Sequence, residues 1–99
     1  MTMCVLLTTD KKYEDKYDHL LVSILNEKPD VFLAHGPHSD DWEDAMDMLC
    51  VMRDIENIDP GAFCNTTSHP DETLVEVIEF AEQWCDLKDA ARDIKILKI

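Results

Sequence analysis

Apolar positions along this chain come in two patterns: short continuous runs, and stretches where they return every three or four residues. The first marks buried strands and the second amphipathic helices. Met3 to Thr8 is a β-rich run and predicts a first strand. Asp10 is placed to cap a helix in which Tyr13, Tyr17, Leu20, Leu21, Ile24 and Leu25 recur at helical spacing, and Pro29 stops it. Asp30 to Ala34 (DVFLA) predicts a second strand, apolar enough in its body to be covered on both faces. A turn at His35-Gly36-Pro37-His38 leads to a second helix capped by Ser39 or Asp40, with Trp42, Ala45, Met46, Leu49 and Met52 as its core stripe. Pro60-Gly61 ends the connection that follows, and Ala62 to Thr66 (AFCNT) predicts the third strand. Ser68 caps a third helix, with Pro70, Asp71 and Glu72 in its first turn and Leu74, Val77, Ile78, Ala81, Trp84 and Cys85 inward. Asp93 to Ile99 (DIKILKI) is the fourth strand, and its lysines suit a sheet edge.

The predicted architecture is a βαβαβαβ domain over residues 1–99: a four-stranded, mostly parallel sheet flanked by three helices. Two strand orders fit, 2-1-3-4 and 1-2-3-4. The first is preferred, because the first three strands are apolar enough to be covered on both faces. Either order sets the second and third helices side by side on one face.

Charge sharpens this picture. The 99 residues include 22 acids and 9 bases, a net charge of −13. Residues 39–59 hold eight acids against Arg53, and residues 71–93 hold eight against Lys88 and Arg92. The first helix, by contrast, intersperses Lys11, Lys12 and Lys16. On the second helix Asp40, Asp44, Asp47 and Asp54 form one line, with Val51 in its gap; on the third, Glu72, Glu76, Glu79 and Asp86 do so, with Gln83 in the gap. Like charges at i,i+4 each cost a few tenths of a kcal/mol, so stability alone does not favour such rows. At a rise of about 1.5 Å per residue the carboxylates stand roughly 4.5–6 Å apart, near the phosphate spacing of a nucleic-acid strand. So acidic a chain repels nucleic acid and anionic lipid. The expected partner is a basic protein surface, on a nuclease or another nucleic-acid-handling protein. The chain would act as a non-catalytic inhibitor, of the surface type of immunity proteins and phage anti-defence proteins, through Asp40, Asp44, Asp47, Glu72, Glu76, Glu79 and Asp86. The plain alternative is a solvated acidic face that keeps the chain soluble.

An alternative function is small-ligand or metal binding beyond the carboxyl ends of the strands. In order 2-1-3-4 the crevice opens between the first and third strands, where Thr8, Thr9 and Asp10 meet Thr66, Thr67, Ser68 and His69. There is no G-x-G-x-x-G and no P-loop lysine, so nucleotide binding by the usual routes is not expected. His35, His38, Asp41, His69 and Asp71 are candidate metal ligands in the same loops. His69-Pro70-Asp71-Glu72 resembles the His-Pro-Asp-Asp-Glu signature of LmbE-type zinc-dependent deacetylases, over four residues and with one aspartate missing, on a chain far shorter than that fold. No cofactor is expected.

Cys4, Cys50, Cys64 and Cys85 form no C-x-x-C pair and lie in apolar patterning, which predicts buried, reduced thiols. With no basic n-region before the first apolar run and no run of membrane-spanning length, the expectation is a cytoplasmic protein outside the membrane.

Overall fold

The computed structural model describes residues 4–55, 65–87 and 93–99, without the side chains of residues 53–55. The strands are β1 (Cys4–Thr8), β2 (Val31–His35), β3 (Asn65–His69) and β4 (Ile94–Lys98). The helices are α1 (Asp18–Asn26), preceded by a 3-10 turn at Asp15–Tyr17, α2 (Ser39–Ile55) and α3 (Leu74–Leu87). The four strands form one parallel sheet, and strands and helices alternate as the pattern predicts. Among the described residues no helix is long and apolar enough to cross a membrane.

The strand order is β3-β2-β1-β4. The expected β2–β1 pair is present, and helices cover both sheet faces. Where order 2-1-3-4 would seat β3 beside β1, however, β3 joins β2 and β4 joins β1. This changes where the helices go. Steps from β1 to β2 to β3 run in one direction across the sheet, so right-handed crossovers leave α1 and α2 on one face. The step from β3 to β4 runs back across the sheet and puts α3 on the other. Side chains confirm it. Val5, Leu7, Phe32 and Ala34 pack with Leu21, Ile24 and Leu25 of α1 and with Trp42, Met46 and Cys50 of α2. The alternate residues Cys4, Leu6, Val31 and Leu33 pack with Val77, Ala81 and Cys85 of α3. The second and third helices are therefore on opposite faces, not side by side.

Burial explains which strands are apolar. Cys4 to Leu7 and Val31 to Leu33 are fully buried, as strands covered on both faces require. At about 1.5–3 kcal/mol for each large apolar side chain removed from water, these two strands and the helices over them hold most of the folding energy. β4 is a half-exposed edge, as its lysines suggest, and Lys95 Nζ meets Glu27 Oε1 at 2.8 Å. β3 is the other edge. It lies three residues beyond the expected Ala62–Thr66, and Ala62, Phe63 and Cys64 lie outside the described residues. Its sequence, NTTSH, is polar because α2 lies along one face of it while α3 packs on β1 and β2. Ser68 is thus a strand residue and not a helix cap.

Two helix starts also differ from expectation. Asp10 does not cap α1, which begins at Asp18. Residues 9–17 serve instead as a cover for Trp42: its indole Nε1 donates to the Lys11 carbonyl at 2.9 Å, and Tyr13 and Tyr17 each stand 5.2 Å from it, ring to ring. α3 is started by Thr73 and Glu76. The Glu76 amide donates to Thr73 Oγ1 at 3.2 Å and the Thr73 amide donates to Glu76 Oε1 at 3.0 Å, a reciprocal capping box. Met52, expected in the core, is exposed, and Cys50 takes the inward place.

Cys4, Cys50 and Cys85 are buried thiols outside any disulfide. Cys4 Sγ and Cys85 Sγ approach to 3.4 Å where α3 crosses β1. Burial, then the neighbouring Cys85 thiol, pushes the Cys4 thiol up from 9.0 to about 12, so it stays protonated and inert.

Candidate functional site

The carboxyl ends of β1, β2 and β3 are tied together by backbone and side chains. The Thr9 amide donates to the His35 carbonyl at 3.1 Å, and the Gly36 amide to the His69 carbonyl at 3.3 Å. Gly36 has φ +129°, and a Cβ there would lie 1.9 Å from the Thr9 carbonyl oxygen, so only glycine fits. The two histidines at these ends are register partners in the β2–β3 pair. His35 Nε2 lies 2.8 Å from the Glu72 carbonyl, which can only accept, so Nε2 carries the proton. Its Nδ1 then accepts from the Thr8 hydroxyl at 2.7 Å. His69 has the opposite tautomer when neutral. Its Nδ1 donates to Glu72 Oε1 at 2.7 Å and its Nε2 accepts from Thr67 Oγ1 at 2.8 Å. His69 is buried, with Phe80 of α3 at 5.1 Å.

This network joins Thr8, Thr67 and His69 of the expected ligand loops, but its polar atoms satisfy one another. All four ring nitrogens have partners within the chain, and the network fastens the β3–α3 connection at Glu72. The remaining loop residues stand elsewhere. Thr9 is buried, its hydroxyl accepting from the Lys11 amide at 3.0 Å, and Asp10 is exposed. Thr66 and Ser68 point to the opposite face, toward α2. With strand order β3-β2-β1-β4 the chain reverses direction between β1 and β4. The crevice of a parallel sheet therefore falls beside Thr8 and Ile99, not between β1 and β3. The candidate metal ligands do not converge. His35 and His69 are engaged as above, and His38, Asp41 and Asp71 are exposed. Among the described residues no three of His, Cys, Asp and Glu are grouped to hold a metal.

The acidic rows form the other candidate site. Asp40, Asp44 and Asp47 on α2 are exposed, as are Glu72, which precedes α3, and Glu76, Glu79 and Asp86 on it. The α2 row runs along β3, whose two α2-facing hydroxyls fix it: Ser68 Oγ donates to Asp40 Oδ1 at 2.6 Å, and Thr66 Oγ1 donates to Asp47 Oδ1 at 2.7 Å. Among the described residues none of Asp40, Asp44, Asp47, Glu76 and Glu79 has a lysine or arginine partner. The Thr73 amide, and then the Thr73 hydroxyl, hold the Glu76 carboxyl below the usual carboxylate range. The α2 and α3 rows lie on opposite sheet faces and make two surfaces, not one. Asp54, the fourth acid of the α2 line, has its side chain outside the described residues.

A family model described as a domain of unknown function, DUF7684, matches residues 1–99. The chain belongs to that family. No curated protein and no solved structure matches it.

The sequence gives no warning of the Thr67–His69–Glu72 chain of hydrogen bonds, because β3 is read there as a loop. A second omission is an apolar patch on α2. Met48, Val51 and Met52 are 60%, 49% and 49% exposed. Val51, sitting in the gap of the acidic line, is the one sign of it in the sequence.

Proposed function

We propose that this chain is an acidic, non-catalytic binding protein that occupies a basic surface on a nuclease or another nucleic-acid-handling protein. The observation that carries the reading is the α2 row. Three exposed aspartates, at positions 40, 44 and 47, lack a cationic partner among the described residues, and two are held in place by hydroxyls of β3. Carboxylates fixed before binding lose less freedom when they meet lysines and arginines. The α3 row of Glu76, Glu79 and Asp86, with Glu72 before it, is a separate surface on the other side of the sheet. A single partner face engages one row at a time.

The test is capture from native lysate on the tagged protein, with elution by a salt gradient and identification by mass spectrometry. A basic nucleic-acid-handling protein that leaves at high salt is the expected result. Asp40→Lys/Asp44→Lys/Asp47→Lys should weaken its binding by roughly a hundredfold or more, from about 1 kcal/mol per reversed charge. The matching reversals on α3 should cost far less. If capture survives the α2 reversals in a folded variant, the reading fails.

A further inference from the structure

Among the described side chains, the exposed ridge of α2 begins with acids and continues with apolar residues. Asp40, Asp44 and Asp47 come first, and Met48, Val51 and Met52 follow within about a turn and a half. Methionines at a surface of this kind adapt to differently shaped apolar partners. Exposed apolar residues rimmed by charge mark a place where another molecule docks. Charge selects the occupant. A second copy of this chain would bring together two molecules each of net charge −13, and an anionic lipid surface is repelled likewise.

We infer that α2 docks a basic amphipathic helix of a partner protein, with lysines or arginines over Asp40, Asp44 and Asp47 and large apolar side chains over Met48, Val51 and Met52. This rests on the acidic-binding reading above and narrows it to one ridge and one partner shape. Aspartates at steps of four and three residues along α2 are matched by cations at the same steps on a helix lying alongside. The hydroxyls of Ser68 and Thr66 keep the acidic half in register on its β3 side. The acidic half steers and orients the approach, and the apolar half slows departure.

The experiment titrates the full chain, labelled with nitrogen-15, with two synthetic peptides of equal positive charge at about 150 mM salt. One is an amphipathic leucine–lysine helix of about 18 residues, and the other is oligolysine. The amphipathic peptide should bind about tenfold tighter or more, with amide shifts concentrated on residues 40–52. Met48→Ser/Val51→Ser/Met52→Ser should bring its affinity down to that of oligolysine and leave oligolysine binding unchanged. Val51→Ser alone should move it in the same direction should the triple variant not fold. Asp40→Asn/Asp44→Asn/Asp47→Asn should weaken both peptides. Equal affinity for the two peptides or no effect of the serine substitutions would overturn the docked helix while leaving the acidic-binding reading standing, and shifts centred on α3 would overturn both. If neither peptide binds even at low salt, both fall.

Discussion

At Gly36 one residue decides how three strand ends meet. Its φ of +129° and the Thr9 carbonyl oxygen 1.9 Å from where a Cβ would sit leave no room for alanine. Gly36→Ala should therefore lower stability by more than about 2 kcal/mol, the sum of a backbone outlier and a main-chain clash. Urea unfolding would measure it, and a loss under about 0.5 kcal/mol would show that the loop yields easily. The glycine was legible in the sequence as a turn residue, but its reason was not. The reason lies in a contact between residues 9 and 36, and no local pattern carries that. The histidines show the same limit. His35 and His69 stand out as loop histidines before a structure is known, and metal ligation is the natural thought. In the fold each is held between a hydroxyl and Glu72, once by its carbonyl and once by its carboxylate.

Among the elements, the long periodic ones were plain and the polar ones were not. The inward face of α3 follows the periodicity, while its start is set by Thr73 and Glu76, three residues apart in a T-x-x-E motif. Ser68 and Pro70 draw attention away from that motif. Thr73→Ala should cost about 1 kcal/mol of stability, the usual worth of such a cap. Glu76 adds a pH dependence. Its carboxyl titrates lower in the folded chain than in the unfolded one, so its contribution is present above the ordinary glutamate value of about 4.3. It is lost as pH falls through the lower folded value. Glu76→Gln should flatten the acid limb of the stability profile relative to the parent as pH falls below the ordinary glutamate value of about 4.3. Parallel curves for the two proteins would refute the bond's role. β3 was misplaced by three residues for a related reason. Its threonines favour a strand, but Thr66 bonds Asp47 and Thr67 bonds His69, and hydrophobic pattern cannot announce a strand whose side chains are sealed by hydrogen bonds.

For the whole molecule, the alternation of strands and helices was enough to give a parallel α/β sheet, whereas the strand order had to come from packing. That order governs everything about the distribution of charge, since crossover handedness turns it directly into helix placement. With 22 acids and 9 bases the folded chain repels itself. Its melting temperature should rise as sodium chloride goes from about 10 mM to about 1 M and the Debye length shrinks from about 30 Å to about 3 Å. A flat or falling curve in calorimetry would mean that the acids are already compensated in the fold. The pairing of β1 with β4 has a different kind of consequence. Cys4 to Thr8 find one neighbour in Val31 to His35 and the other only in Ile94 to Lys98, some 90 residues away along the chain. Until that last strand arrives, an all-apolar strand presents an open edge to any other chain nearby. Closing the longest loop in the molecule is thus what separates folding from aggregation, and a nascent chain cannot complete its sheet before residue 98 has emerged from the ribosome.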